Sequence, residues 1–98
     1  MIDIAPGHLQ IVKSILQRHL PDREIWVFGS RASGTAKKFS DLDLAVIGSL
    51  PLTLGQLALL EHDFDESELP FKVDLVDWAA INGSFREIIR KTAKPLGF

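Results

Sequence analysis

Two aspartates separated by a single leucine, Asp41 and Asp43, stand at the start of a short apolar stretch. In an extended strand, side chains two residues apart project from the same face. Both carboxylates would therefore point one way, while Leu42 and Leu44 point the other. Like charges held this close repel each other unless a cation lies between them. The pair predicts a strand over residues 41–47 with one apolar face and a cation site at its beginning.

A Gly-Ser pair precedes these carboxylates by ten residues and directly follows a continuous apolar run. The run, residues 25–28, is β-branched and aromatic, and its length suits an interior strand. Gly29 ends it, Ser30 is predicted to cap a brief helix over residues 31–33, and Gly34 suits a left-handed C-terminal position. Glycine lets a phosphate approach the backbone, and a helix start offers free N–H donors, so this turn is a candidate phosphate site. The turn is not a Walker A loop, because the Gly-Lys-Ser/Thr ending of that motif is missing.

Further helices are predicted on either side of these strands. Pro6 opens a helix whose apolar residues recur at helical spacing, and Pro21 ends it. Thr53 and Gln56 have the spacing of a capping box and open the next long helix. The pattern therefore alternates helices with strands, as expected of a layered α/β domain.

A third strand and a last helix complete this alternation. Residues 71–76 alternate apolar and polar side chains after a proline, and Asp74 would leave the core face. Ser84 and Glu87 have the spacing of a second capping box, for a helix that Pro95 interrupts. The predicted order is helix, strand, short helix, strand, helix, strand and helix.

Length and composition restrict the class of protein. A chain of 98 residues suits one α/β (α+β) domain over residues 1–98, with a small mixed sheet of about three or more strands flanked by helices. The formal charge of -2 argues against direct nucleic-acid binding. The sequence has no cysteine, and it has neither a signal-peptide pattern nor an apolar run of the roughly 20 residues that span a bilayer. We expect a cytoplasmic protein without membrane contact.

Three aspartates on two predicted strands point to a shared chemistry: Asp41, Asp43 and Asp74. If the two strands are neighbours, the three carboxylates converge. Such a cluster offers hard oxygen ligands, which suit magnesium or manganese rather than zinc. Two such ions about 3.5 to 4 Å apart can clamp a phosphoryl or nucleotidyl displacement. The sequence therefore predicts metal-dependent chemistry on a phosphate.

The motifs resemble those of the DNA polymerase β-like nucleotidyltransferases, in which Gly-Ser is followed ten residues later by Asp-x-Asp. The similarity is closest to the minimal nucleotidyltransferases. Their Gly-Ser-Arg-Ala, Gly and Ser-Asp-x-Asp-Leu segments resemble residues 29–32, Gly34 and residues 40–44 here. Residues 72–76 resemble the strand that carries the family's third carboxylate. The resemblance implies a nucleotidyltransferase fold.

The resemblance also implies roles for individual side chains. It assigns Gly29 and Ser30 to the triphosphate of ATP, and the neighbouring Arg31, which could reach a phosphate, is a further nucleotide-binding candidate. Arg31 alone is equally consistent with a solvated surface charge. It assigns three carboxylates to the catalytic site and its magnesium or manganese ions: Asp41, Asp43 and Asp74. The last of these would also activate the acceptor hydroxyl.

A nucleotidyltransferase also needs an acceptor, and a chain of 98 residues leaves little room for a second domain to bind one. We therefore expect another protein to supply it, in a hetero-oligomer. Minimal nucleotidyltransferases are typically paired with a HEPN-domain toxin, and the resemblance implies transfer of AMP from ATP to this RNase, which is thereby neutralised. The usual acceptor is a tyrosine hydroxyl. The sequence contains no tyrosine, so such a modification would occur in trans.

Two other functions stay open at this point. The chain could be a non-catalytic antitoxin that masks its HEPN partner by binding, although a pure binding surface has no use for a repulsive acidic cluster. It could also transfer a nucleotide to a small molecule such as an aminoglycoside. The lack of a visible acceptor domain argues against this second alternative.

Overall fold

The computed structural model describes residues 2–97. It contains the predicted helices and strands in the predicted order, together with two short elements that the sequence pattern did not indicate. In chain order the elements are α1 (Pro6–His19), β1 (Glu24–Phe28), α2 (Ser30–Ser33), β2 (Leu42–Ile47), α3 (Leu54–Asp65), β3 (Val73–Asp77), a 3-10 helix (Trp78–Ala80), α4 (Gly83–Thr92) and β4 (Lys94–Leu96).

The four strands form one mixed sheet in the order β3-β2-β1-β4. Strand β1 is antiparallel to both of its neighbours, β2 and β4, whereas β2 and β3 are parallel. The predicted mixed sheet flanked by helices is therefore confirmed. Strand β1 is interior, as its continuous apolar run indicates, and the two carboxylate-bearing strands are direct neighbours.

Helices α1 and α3 cover one face of the sheet, which we call the core face. Leu42, Leu44 and Val46 of β2 alternate onto this face and are buried. The buried residues of this cluster also come from α1, α2, α3, β1, β4 and the connecting segments: Val12, Ile15, Leu16, Leu20, Ile25, Val27, Ala32, Leu60, Phe64, Phe71 and Leu96. Burial of this apolar surface is the main stabilising contribution to the fold.

Helix α4 and the 3-10 helix cover part of the opposite face, which we call the site face. Its cluster of buried residues is smaller and consists of Ala45, Trp78 and Ile89. Trp26 contacts Trp78 edge to face at a centroid distance of 5.2 Å, a favoured aromatic geometry. The residues of β2 that alternate onto this face begin with Asp43, so the site face combines an apolar cluster with a carboxylate.

Strand β4 is the main departure from the predicted order of elements. Pro95 was expected to interrupt the last helix, but α4 ends at Thr92 and Pro95 lies within β4. A proline cannot donate a hydrogen bond to a neighbouring strand, and β4 lies at the edge of the sheet, where that donor is not required. The register pairs Trp26 with Pro95 and Ile25 with Leu96.

Of the two capping boxes predicted for the long helices, the structure contains one. The capping box of Thr53 and Gln56 is confirmed, with both reciprocal hydrogen bonds present. The box predicted for Ser84 and Glu87 is wrong, because Asn82 caps α4 and its Oδ1 accepts from the Phe85 N–H at 2.9 Å. Asparagine is as good an N-cap as serine, and the chain is still extended at Asn82, so the cap lies two residues before the predicted one and the helix begins at Gly83.

The cap of α2 also differs from the prediction. Gly29 occupies the N-cap position with φ 73° and ψ -152°, and Ser30 is the first helical residue, without a side-chain capping bond. Gly34 does adopt the left-handed conformation at the C-terminal end, with φ 86° and ψ 13°. Only the glycine end of this short helix was therefore placed correctly.

Strand boundaries shift by one or two residues, which is the usual uncertainty at element ends. Strand β2 begins at Leu42, so Asp41 precedes it rather than opening it. Strand β3 begins at Val73 and extends to Asp77. Within residues 2–97, no helix combines the length and apolar character needed to cross a bilayer.

Candidate active site

The turn after β1 is fixed by hydrogen bonds from several directions. Gly29 has a positive φ of 73°, a conformation that other residues adopt only with strain. Its carbonyl accepts from the N–H groups of Ala32 at 3.1 Å and Ser33 at 3.0 Å. Its own N–H donates to the Thr92 hydroxyl at 2.9 Å. The turn that carries Ser30 is therefore anchored both to α2 and to the end of α4.

Asp43 lies directly against this turn. In the pairing of β1 with β2, Phe28 is opposite Asp43, and Gly29 follows as the next residue. A Cβ atom on Gly29 would overlap Asp43 Oδ2, so the absence of a side chain leaves the space that the carboxylate occupies. The sequence suggested that this glycine admits a phosphate. The structure adds that it admits the carboxylate.

Asp74 lies beside Asp43 on the neighbouring parallel strand, where the two residues are register partners. This confirms the expected adjacency of the two strands. Lys72, the residue just before β3, forms an ion pair with Asp74, with 3.3 Å between Nζ and Oδ1. Both side chains are substantially exposed, so this pair contributes little to stability.

The electrostatics of the site oppose ionisation of Asp43. Partial burial raises the pKa of the Asp43 carboxyl above its ordinary value, and the charges of Asp74 and Asp41 raise it further. Asp41 is exposed and precedes β2, yet it is near enough to contribute. The structure therefore pairs Asp43 with Asp74 and leaves Asp41 at the rim.

The residues present fit a divalent cation by their chemistry, although the site is not fully assembled. Across residues 2–97, no group of three carboxylate or imidazole side chains is gathered tightly enough to hold a metal ion. The donors are carboxylate oxygens, which magnesium and manganese prefer. A cation between Asp43 and Asp74 would also relieve the repulsion that raises the pKa of Asp43.

Arg31 has a different environment from the one a phosphate ligand needs. Its side chain is buried, with only 5% of the residue exposed. Nε donates to the Ser40 carbonyl at 3.0 Å, Nη1 to the Asp3 carbonyl at 2.9 Å and Nη2 to the Lys38 carbonyl at 3.2 Å. The guanidinium also lies over the Phe71 ring, 4.2 Å from its centroid.

These contacts place Arg31 in a structural position. All three guanidinium nitrogens are committed to backbone carbonyls, and two of those carbonyls belong to the loop of residues 35–40 that leads to Asp41. A buried guanidinium keeps such partners because losing them would leave its charge unsolvated. Arg31 therefore holds the loop between the turn and the carboxylates.

Sequence reasoning missed Thr92 and Lys72. Thr92 is 63 residues away from Gly29 in the chain, and no local motif marks it as a contact of the turn. Lys72 could have been noticed, because residues two apart on a strand share a face and Lys72 stands two before Asp74.

Comparison with known proteins bears on this geometry. The profile of the nucleotidyltransferase domain family matches residues 9–96. The chain is 53% identical over 90 residues to the probable protein adenylyltransferase MntA of Haemophilus influenzae (strain ATCC 51907 / DSM 11121 / KW20 / Rd), and the alignment covers 92% of this chain and 79% of that protein.

Solved structures share the fold. A toxin-antitoxin structure with AMP-PNP superimposes with a TM-score of 0.75 at 27% identity, over 91% of this chain and 72% of that chain. An MNT antitoxin in complex with a tri-AMPylated HEPN toxin of Shewanella oneidensis has a TM-score of 0.70 at 23% identity, over 93% of this chain and 70% of that chain, a likeness of fold alone. The chain therefore belongs to the nucleotidyltransferase domain family, which confirms the fold and the enzyme class that residues 29–44 predict.

Proposed function

We propose that this nucleotidyltransferase transfers AMP from ATP to a hydroxyl group of a partner protein, a HEPN-family RNase toxin, and thereby neutralises it. The position of Asp43 carries the proposal: it lies against Gly29 on one side and beside Asp74 on the other. One small region thus combines a turn suited to phosphate with adjacent carboxylates. A nucleotidyl transfer needs both parts at once.

The comparisons support the choice of acceptor and nucleotide. The relative with 53% identity is named a probable protein adenylyltransferase, which favours AMP as the group and a protein as the acceptor. The toxin-antitoxin structure with AMP-PNP favours ATP as the donor and a toxin as the partner. That the partner of this chain is a HEPN protein follows from the resemblance to minimal nucleotidyltransferases. We place both proteins in the cytoplasm.

In this mechanism, the turn orients the nucleotide and the carboxylates act on the reacting groups. The hydroxyl of Ser30 and the backbone beside it bind the triphosphate. The acceptor hydroxyl gives its proton to Asp74, and its oxygen forms a bond to the α-phosphorus. The bond between that phosphorus and the bridging oxygen of the β-phosphate breaks, and pyrophosphate leaves.

A divalent cation fits beside these carboxylates. Asp41, Asp43 and Asp74 would hold a magnesium or manganese ion, and two of them, Asp43 and Asp74, are register partners on neighbouring strands. When bound, the ion supplies positive charge that neutralises the phosphate oxygens. Asp43 is half-buried between Gly29 and its strand neighbours, so it is the most firmly positioned of the three carboxylates.

The test uses the chain, a purified HEPN-family RNase toxin as acceptor, ATP and magnesium, and measures the intact mass of the HEPN protein. We expect one or more AMP increments on the partner and loss of its RNase activity. Asp43→Asn should lower the transfer rate by about 10³-fold, because it removes a charge at the reacting phosphate. Chelation of the metal should have a similar effect. Asp22→Asn, an exposed carboxylate in the turn between α1 and β1, is the matched control and should behave as wild type.

Other outcomes would overturn the proposal. If the partner gains no AMP yet stays inhibited without nucleotide, and the Asp41→Asn, Asp43→Asn double variant inhibits equally well, then the chain is a binding antitoxin without catalysis. If labelled AMP appears on small hydroxylated acceptors such as aminoglycosides and not on the partner, then the acceptor is a small molecule.

A further inference from the structure

The hydroxyl of Thr92 joins the end of α4 to the turn after β1. It accepts the N–H of Gly29 at 2.9 Å, in a partly buried position. A threonine hydroxyl in a helix can donate to the carbonyl one turn earlier. Here the oxygen accepts instead from a residue 63 positions away, in the turn that precedes Ser30.

Thr92 is held in place from two sides. It is the last residue of α4, and the N–H of Ala93 caps that helix by donating to the Ile89 carbonyl at 3.0 Å. Ile89 itself is fully buried in the cluster of the site face. Strand β4 follows at once and pairs Lys94 with Val27 of β1. The hydroxyl therefore sits on a packed framework.

The hydrogen bond determines the orientation of the Gly29 backbone. Gly29 has φ 73° and ψ -152°, and a glycine has wide conformational freedom in this region. Fixing its N–H direction restricts the plane of the peptide that joins Phe28 to Gly29. The same Cα lies against Asp43 Oδ2, which occupies the space of the missing side chain. A rotation of this peptide would therefore move the surface that supports the Asp43 carboxylate.

We infer that Thr92 is a positioning residue for the nucleotide site, acting through the Gly29 N–H to hold the phosphate turn against Asp43. This inference rests on the proposed function, since it assigns the turn to the triphosphate. Thr92 touches neither phosphate nor metal in this scheme. Its contribution is to restrict the turn before the nucleotide arrives, which lowers the cost of ordering on binding.

The test combines a structural measurement with a kinetic one. Amide hydrogen exchange followed by NMR, on the chain without nucleotide, reports directly on the Gly29 N–H. Thr92→Val removes the hydroxyl and keeps the shape of the side chain, so exchange at Gly29 should accelerate by about tenfold or more. Thr92→Ser retains the hydroxyl and should restore protection.

The kinetic measurement is AMP transfer to the HEPN protein at several ATP concentrations. Thr92→Val should lower kcat/KM for ATP by about tenfold, mainly through KM, whereas Thr92→Ser should stay within about threefold of wild type. Thr53→Val is the matched control. Thr53 also accepts a backbone N–H, that of Gln56 at 3.0 Å, but at the start of α3. That variant should lose stability without a change in KM.

The outcomes separate this inference from the proposed function. If wild type transfers no AMP, the proposed function fails, while hydrogen exchange still decides whether Thr92 restrains Gly29. A Gly29 amide that exchanges freely in wild type, or equally fast in wild type and a folded Thr92→Val, overturns the inference. So does faster exchange with an unchanged kcat/KM. Because the wild-type measurement needs no variant, the inference stays testable even if Thr92→Val does not fold.

Discussion

The two faces of the sheet differ in how deeply their side chains are buried. On the core face, Leu42, Leu44 and Val46 are at most 1% exposed and pack beneath α1 and α3. On the site face, the alternate residues of the same strand include a buried Ala45 and a half-buried Asp43. The even-numbered residues of β2 therefore pack in the core, and its odd-numbered residues lie on the site face. This division follows because successive side chains of a β-strand point to opposite faces.

The charged side chains near the two faces also differ, because those on the helices over the core face have partners of opposite charge and those on the site face repel each other. Asp63, on α3, accepts from His19 of α1, with 2.5 Å between Nε2 and Oδ2, and pairs with Arg18 at 3.3 Å. The His19 hydrogen bond lowers the pKa of Asp63, with further lowering by nearby positive charge. At Asp43 the pKa is raised, because burial and neighbouring carboxylates oppose its charge. Favourable pairing therefore supports the helices, and unfavourable charge is concentrated where we propose that a cation and a phosphate bind.

The largest expected difference in stability is between the two apolar clusters. Leu44→Ala should lower the free energy of unfolding by about 2 to 5 kcal/mol, because the cavity is enclosed by packed side chains. Ile89→Ala should lie near the lower end of that range, since several neighbours of Ile89 are only partly buried and can move inward. Urea denaturation of both variants measures the difference. A loss at Ile89 equal to that at Leu44 would remove the distinction between the clusters.

A pair of glycines tests how tightly the site face is built. Gly29→Ala and Gly34→Ala both force alanine into a positive φ, at 73° and 86°, with a strain cost of about 1 to 2 kcal/mol each. Only the new Cβ at residue 29 overlaps Asp43 Oδ2, whereas no heavy atom of a described residue approaches within 4 Å at Gly34. AMP transfer should therefore fall about a hundredfold in Gly29→Ala alone. Similar activity in both folded variants would contradict the close contact between turn and carboxylate.

The smallest expected effect concerns the pH dependence of stability that Asp63 contributes from α3, the helix over the core face. A carboxyl whose folded pKa is lowered stabilises the protein above its unfolded pKa, 3.8 for aspartate, and loses this contribution as the pH falls through the folded value. Asp63→Asn should therefore be slightly less stable than wild type at pH 7, with the difference vanishing in acid. Thermal unfolding between pH 7 and acid measures it. Asp65→Asn, on the same helix, serves as control, and a difference that persists in acid would exclude the charge as its cause.

Much of this arrangement follows from local patterns in the sequence. The alternation around Asp43 predicted the strand and its two faces, and the apolar run before Gly29 predicted an interior strand. Thr53 and Gln56 predicted the start of α3. Each of these signals involves residues within a few positions of one another, so neighbouring side chains suffice to reveal them.

Local patterns were not sufficient where contacts between separate segments decided the outcome. A proline breaks a helix, which is the local signal that Pro95 carries. In the folded chain it lies instead in the edge strand β4, which pairs with the edge of β1 that β2 does not occupy. Arg31 stands in a motif shared with nucleotide-binding proteins, but its charge is satisfied by carbonyls that include that of Asp3. Residues 2–5 and 35–40 reach this guanidinium only in the folded chain.

By itself, the sequence determined the Gly-Ser turn, the carboxylate-bearing strand and the order of the main elements, because these depend on spacing within single segments. The tertiary structure decided which groups meet: Asp43 beside Asp74, Asp43 against Gly29, and Thr92 on the Gly29 N–H. Strand register and the packing of α4 set these contacts. Hydrogen bonds between residues as far apart as Gly29 and Thr92 form only when the whole chain folds, and no local pattern encodes them.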